Sequence, residues 1–117
     1  MNLRFLQSNT SLILSFAHVF ITSPILLAYT LTDLFEFPSV PSYYFYWPFV
    51  LTVYGIGAYH IYRYWTTQSR VNLFHLIGIF PLLFYYAYYG DSVIRPVKYM
   101  TIGIAITSII YHIRRFL

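Results

Sequence analysis

The sequence FHLIGIFPLLFYYAYYGD, from Phe74 to Asp91, decides the fold class. It is apolar over nearly the length that a membrane-spanning helix needs, which is about 20 residues. A similar stretch, FAHVFITSPILLAYTLTD, runs from Phe16 to Asp33. In both stretches a proline follows a histidine at the same spacing. The fold must therefore accommodate one hydrophobic pattern twice.

The composition of the whole chain places both stretches in a membrane protein. Of the 117 residues, 59% are hydrophobic and 9% are charged, which is far too apolar for a soluble domain of this size. Four windows are long enough to span a bilayer, at 11–32, 46–65, 71–90 and 95–114. The first is expected to be a true span and not a secretory signal, because it is long and lacks a small-x-small cleavage site. The sequence predicts an all-α polytopic membrane protein with four transmembrane helices in a single domain, 1–117.

The four windows form two related hairpins. A shift of 57 positions takes His18 to His75, Pro24 to Pro81 and Tyr29 to Tyr86. A shift of 48 takes Pro48 to Pro96 and Gly55 to Gly103, and both even windows end in a Tyr-His-Ile sequence. We interpret the chain as a tandem duplication, with repeat 1 at about 11–65 and repeat 2 at about 71–115. The expected pseudo-twofold axis runs along the membrane normal.

Prolines and polar residues suggest where the even helices begin. Pro48 and Pro96 are expected in first helical turns, where the missing N–H costs nothing. Asp91 and Ser92 are expected to cap the fourth helix. The aromatic clusters SYYFYW, YHIYRYW and YYAYY are expected at the membrane interfaces, which tyrosine and tryptophan favour.

The charged residues predict the orientation of the bundle. One side receives Arg4, Arg63, Arg70, Arg114 and Arg115; the other receives Arg95 and Lys98 with all three acids, Asp33, Glu36 and Asp91. By the positive-inside rule both termini face the cytosol. The net charge of +4 then sets the topology and the contact with anionic lipid headgroups, which makes the lipid bilayer the expected partner. No basic face is large enough to follow nucleic-acid phosphates, so nucleic acid is not an expected partner.

The histidines are the candidate functional residues, because there is one in each window: His18, His60, His75 and His112. All four are expected within one or two turns of the basic side. Three interpretations stay open: single interhelical hydrogen bonds, a converging proton or cation path, and a divalent metal or b-type haem held by imidazoles. The acids lie at the opposite side, which weakens the metal interpretation. No cofactor is the leading expectation.

The duplication predicts how these histidines pair. His18 and His75 are expected to be symmetry mates, as are His60 and His112. Within each hairpin His18 is expected beside His60, and His75 beside His112, because a short loop joins antiparallel neighbours. The fourth helix has four additional residues before its histidine, which sets His112 about 6 Å closer to the cytosol than His60 at 1.5 Å per residue.

Proline and glycine have predicted structural roles. Pro24 and Pro81 lie inside their helices and are expected to kink them, because each removes one backbone hydrogen bond. Gly55, Gly57 and Gly103 are expected at helix contacts, where small residues let backbones approach.

The run FHLIGIFPLLFYYAYYG, followed by a helix that ends in IIYHI, is similar to small uncharacterised multi-pass membrane proteins of nucleocytoplasmic large DNA viruses. Through the duplication the similarity covers most of the chain. The resemblance implies a virally encoded membrane component and assigns no activity to any residue.

The sequence does not favour an enzyme. There are no cysteines, no carboxylate pair, no phosphate-binding glycine loop and no nucleophile with a base and an orienting acid. The leading interpretation is a structural or assembly component of a cellular or viral membrane. It includes association with further copies of the chain or with other membrane proteins. The alternative is a small histidine-lined unit that conducts protons or cations, or binds a metal or haem.

Overall fold

A computed structural model describes residues 12–36 and 39–114, and these are almost entirely helical. Four helices follow one another: α1 (Leu12–Phe35), α2 (Tyr43–Thr67), α3 (Arg70–Ser92) and α4 (Arg95–Ile113). The prediction of an all-α fold with four helices is confirmed. Arg4 and Arg115, which contributed to the predicted orientation, lie outside the described residues, as do the outer limits of the proposed repeats.

Helices α1 and α3 each contain one π-helical turn that ends two residues before their proline. The turns are His18–Thr22 and His75–Ile79, and an α-helical segment follows each, with proline in its first turn. The N–H of Ser23 bonds to the His18 carbonyl, five residues back, and Phe80 bonds to His75 in the same way. A proline ring displaces the carbonyl four residues back, and a π turn accommodates that displacement. The disruption predicted at Pro24 and Pro81 takes this form.

Two predictions about helix ends are wrong. Pro48 lies inside α2, because the preceding aromatic run is helical and the helix starts at Tyr43. Asp91 and Ser92 do not cap α4, whose N-terminal flanking residue is Ile94 with no side-chain cap. Pro96 does occupy the first turn of α4, as predicted.

The helices form an up-down bundle in which the hairpins contact each other along their length. Helix α1 packs against α4 through both its π turn and its α-helical segment, and α2 packs against all of α3. Within a hairpin the principal contacts come from the α-helical segments Ser23–Phe35 and Phe80–Tyr89. These segments lead to the end of the bundle that carries Asp33, Glu36 and Asp91, which we call the acidic end. The opposite end carries Arg63, Arg70 and Arg114, and we call it the basic end.

Buried positions correspond between the two hairpins. In α1 and α3, Leu26 and Leu83 are buried at a shift of 57, as are Tyr29 and Tyr86. In α2 and α4 a shift of 48 relates four buried pairs: Phe49 and Val97, Val50 and Lys98, Val53 and Thr101, Gly57 and Ala105. The rings of Tyr29 and Tyr86 touch, with centroids 5.3 Å apart. Because these rings come from different hairpins, their contact lies where the two halves of the bundle meet.

The surface of the bundle is apolar, and part of its interior is polar. Large apolar side chains are exposed on every helix, among them Ile13, Leu51, Ile77 and Ile110. Helices α1 and α3 are long and apolar enough to cross a membrane. By the same measure α2 and α4 fall short; the tyrosines of α2 and the charged first turn of α4 lower their mean hydropathy.

Candidate functional site

The four histidines come together at the basic end as two stacked ring pairs. His18 stacks on His112 with centroids 4.2 Å apart and an interplanar angle of 26°. His60 stacks on His75 at 4.2 Å and 18°. Each stack joins one hairpin to the other, whereas the sequence predicted neighbours within each hairpin; His18 and His60 do line one groove. The two stacks agree with the predicted equivalence of His18 with His75 and of His60 with His112. Exchanging the members of each equivalent pair converts one stack into the other.

The helix packing explains why the stacks join different hairpins. The two helices of a hairpin make their principal contacts toward the acidic end, where the connecting loop lies. At the basic end the short turn at Gln68 and Ser69 connects α2 to α3, and so brings His60 close to His75. The prediction considered only the loops within each hairpin.

One histidine of each stack is fixed by a backbone carbonyl. His18 Nδ1 lies 2.8 Å from the Leu14 oxygen, and His75 Nδ1 lies 2.7 Å from the Val71 oxygen. A carbonyl oxygen only accepts, so Nδ1 carries the proton and donates it in both cases. In the neutral ring this leaves Nε2 as the acceptor. Leu14 and Val71 are themselves related by the shift of 57.

The other histidine of each stack is fixed by a polar side chain. His60 Nδ1 donates to Asn72 Oδ1 at 2.7 Å, and His112 Nδ1 lies 3.1 Å from Ser15 Oγ. Ser15 and Asn72 are buried and occupy equivalent positions. The sequence reasoning did not identify either partner. Each lies three residues before a histidine of its own helix, a spacing that places both on one helical face.

The stacked geometry does not suit a metal ion or a haem. Imidazole nitrogens bind metals through lone pairs in the ring plane, and two nearly parallel stacked rings direct these lone pairs side by side. A haem iron held by two imidazoles needs one ring on each face of the porphyrin. Within residues 12–36 and 39–114 no three histidine or acidic side chains are placed to share a metal ion. The pairs are suited to holding or exchanging protons.

A second polar cluster lies at the acidic end. Lys98 Nζ is 3.0 Å from Asp33 Oδ2, and both side chains are less than a tenth exposed. The Tyr86 hydroxyl donates to the same carboxylate oxygen at 2.6 Å, and Lys98 also donates to the Asp91 carbonyl at 2.8 Å. The sequence analysis placed both charges on this side but did not pair them. The sequence feature that could have suggested a buried pair is Asp33, an acidic residue at the end of an apolar segment, four residues after Tyr29.

Buried side chains of both kinds lie between the two polar clusters. Leu26, Val53, Leu83 and Ala105 are apolar, whereas Ser23, Thr30 and Thr101 are polar.

The glycines differ in their surroundings, and two of the three predicted packing roles are wrong. Gly57 is a packing glycine, since an added Cβ would overlap the ring of Phe80. At Gly55 and Gly103 an added Cβ would meet no other atom within 4 Å. Small size at these two positions is not required by a neighbouring helix of the same bundle.

Gly55 opens onto a groove between α1 and α2. The groove has a volume of about 360 Å³ and is lined mainly by apolar side chains, among them Leu14, Ile21, Leu51 and Ile56. His18 and His60 line the same groove, so one member of each stack borders it. The groove exists because α1 and α2 make their principal contacts toward the acidic end.

Fold and site together define an all-helical four-helix protein with paired histidines at one end and a buried ion pair at the other. No family model, curated protein or solved structure matches the chain. Its function is inferred from its own geometry.

Proposed function

We propose that this protein is a non-enzymatic, four-span integral membrane protein that acts as a structural or assembly component of its membrane. The observation that supports this most directly is the distribution of polarity. Ser15, Thr30 and Thr101 are fully buried, whereas Ile13 is 70% exposed and Ile77 69% exposed. A bundle with polar side chains inside and apolar side chains outside is stable when its surroundings are hydrocarbon.

All four helices have lengths that agree with this proposal. Helix α4 has 19 residues and α2 has 25, which correspond to about 28 and 37 Å at 1.5 Å per residue. The hydrocarbon core is about 30 Å thick. The tyrosines that lower the hydropathy of α2 concentrate at its two ends, where an interfacial aromatic is favourable.

The proposed topology places the basic end in the cytosol or its equivalent. Arg63, Arg70 and Arg114 belong to this end, and all three acids belong to the other. The resemblance to viral membrane proteins favours a viral membrane or an internal host membrane. A structural role is consistent with association with further copies or with other membrane proteins.

Single-cysteine labelling tests the proposal, because the chain has no natural cysteine. In sealed vesicles, cysteines placed at Ser39 and Ser92 are expected to react with an impermeant maleimide from one side. A cysteine at Gln68 is expected to react only from the other. Labelling of Ser39→Cys and Gln68→Cys from the same side would contradict the four-span topology, and extraction of the protein by alkaline carbonate would contradict membrane insertion.

A second candidate function is a proton-responsive histidine unit, favoured by the two stacks. Imidazole is the side chain that changes charge near neutral pH. When both rings of a stack are protonated, like charges lie about 4 Å apart and repel. Acidification is therefore expected to loosen the basic end, which is most stable while the rings are neutral.

Proton flux into proteoliposomes tests this second function. Flux that depends on pH and falls in His60→Ala and His112→Ala, with insertion unchanged, would support it. Flux equal to that of protein-free liposomes would leave the structural role as the only candidate. Purified protein with a Soret band or stoichiometric metal would show that the rings rearrange to bind a cofactor.

A further inference from the structure

We infer that the groove between α1 and α2 is a binding site for one acyl chain of an anionic phospholipid from the leaflet at the basic end. The inference rests on the proposed membrane insertion. Its first support is the shape and chemistry of the groove, which has a volume of about 360 Å³ and a mainly apolar lining. This volume lies in the range of about 300 to 1,000 Å³ that is typical of ligand sites.

The groove has the direction and length of a lipid chain. Along α2 its lining runs from Leu51 to His60, which is about 14 Å at 1.5 Å per residue. Half of a hydrocarbon core of about 30 Å is about 15 Å. The groove therefore follows the bundle axis through most of one leaflet, and it ends at the level where the polar headgroups begin.

A positive charge lies beyond the headgroup end of the groove. Arg63 follows Tyr59, which lines the groove, by four residues, so it lies on the same helical face about 6 Å nearer the basic end. All three acids are at the acidic end, and no ion pair to Arg63 is present in the described part of the chain. The guanidinium is thus available to a phosphate, and this charge complementarity favours an anionic headgroup.

The second hairpin differs from the first at a position that lines the groove. The position equivalent to Ala17, which lines the groove, is Phe74. The Phe74 ring lies over Gly78, where an added Cβ would be 3.6 Å from it. An aromatic ring thus covers the corresponding surface of α3, whereas Ala17 leaves the surface of α1 open.

Two glycines supply a matched pair of variants. Gly55→Leu places a side chain in the groove, and Gly103→Leu makes the same change at the equivalent position of α4. Neither added Cβ meets another atom within 4 Å, so both variants are expected to fold. Arg63→Gln removes the proposed headgroup contact, and Arg95→Gln removes an arginine at the acidic end.

The test is lipid retention by the full chain in native mass spectrometry from a mild detergent, with dioleoyl phosphatidylglycerol and dioleoyl phosphatidylcholine as probes. The wild type is expected to retain one phosphatidylglycerol in preference to phosphatidylcholine. Gly55→Leu is expected to reduce its retention at least ten-fold. Arg63→Gln is expected to reduce it about five-fold, which is the effect of one basic residue at an anionic surface. Gly103→Leu and Arg95→Gln are expected to retain it as the wild type does.

Four outcomes would overturn the inference. Equal retention of both lipids, or equal loss in both glycine variants, would show that no specific site exists. A dimer that disappears only in Gly55→Leu would show that a second copy of the chain occupies the groove. Extraction of the wild type by alkaline carbonate would remove the membrane proposal as well, whereas a carbonate-resistant protein without selective retention would remove only the lipid site.

Discussion

At the scale of single residues, the buried ion pair between Asp33 and Lys98 has the largest expected effect on stability. Its charges are 3.0 Å apart, and the Tyr86 hydroxyl and the Asp91 carbonyl supply further hydrogen bonds. A buried pair contributes little relative to an apolar pair of the same shape, but removing one partner leaves an uncompensated charge. The cluster therefore fixes how the acidic ends of α1, α3 and α4 meet.

We predict that Lys98→Met destabilises the folded protein by about 3 to 5 kcal/mol, because it leaves Asp33 charged and buried. The double variant Asp33→Asn with Lys98→Met is expected to recover most of this loss. Unfolding in mixed detergent micelles, followed by tryptophan fluorescence, measures both values. Additive effects of the two substitutions would show that the charges are not coupled.

Glycine at position 57 is required by one neighbour, the ring of Phe80. We predict that Gly57→Ala destabilises the bundle by about 1 to 3 kcal/mol, the usual cost of overpacking. Shrinking the neighbour with Phe80→Leu is expected to relieve part of that cost. Gly55→Ala is the control, and it is expected to be neutral or to stabilise by up to about 1 kcal/mol through helix propensity. Equal effects of the two alanines in the same unfolding assay would disprove the assigned contact.

At the scale of helices, the π turns determine which residues reach the histidine stacks. Each turn starts at a histidine and ends two residues before a proline, in α1 and in α3 alike. One additional residue in a helical turn rotates everything before it by about 100° relative to a continuous α-helix. The turns thus set the faces on which Ser15 and Asn72 lie.

We predict that Pro24→Ala allows α1 to return to α-helical geometry and moves Ser15 away from His112. The measurement is disulfide formation between Ser15→Cys and His112→Cys, two positions whose side chains are in contact. Pro24→Ala is expected to reduce this cross-link, and Pro81→Ala is expected to leave it unchanged. The cross-link between Asn72→Cys and His60→Cys is expected to be reduced by Pro81→Ala and unchanged by Pro24→Ala. If both prolines affected both cross-links equally, the two π turns would not act on separate stacks.

At the scale of the whole molecule, the contacts between hairpins exceed those within them. Helix α1 packs along α4 and α2 packs along α3, while the partners within a hairpin meet chiefly toward the acidic end. Both histidine stacks and the Asp33–Lys98 pair also join one hairpin to the other. Each hairpin alone would lose both ring stacks and the ion pair.

We predict that the chain tolerates a break at the turn of Gln68 and Ser69 when both halves are present. Co-expressed fragments 1–68 and 69–117 are expected to co-purify from the membrane through a tag on one of them. Either fragment expressed alone is expected to be degraded or to aggregate. Failure to co-purify, with both fragments inserted, would show that the contacts between hairpins are too weak to hold the halves together.

The sequence alone determined the helical class, the four helices and the places where two of them are disrupted. These properties follow from local chemistry: the length of apolar segments, the missing N–H of Pro24 and Pro81, and the histidine in each segment. The equivalence of the two hairpins was also predicted from the spacing of residues, and the burial of Tyr29 with Tyr86 agrees with it.

The tertiary structure alone decided which partners these residues have. The stacking of His18 with His112 and the pairing of Asp33 with Lys98 depend on how the hairpins are positioned relative to each other. The open surroundings of Gly55 depend on how α1 packs against α2. That arrangement results from packing between residues far apart in the chain, and one hydrophobic pattern is compatible with several arrangements. Spacing along a helix fixes the face on which a residue lies, whereas the neighbour opposite that face is fixed only when the helices pack.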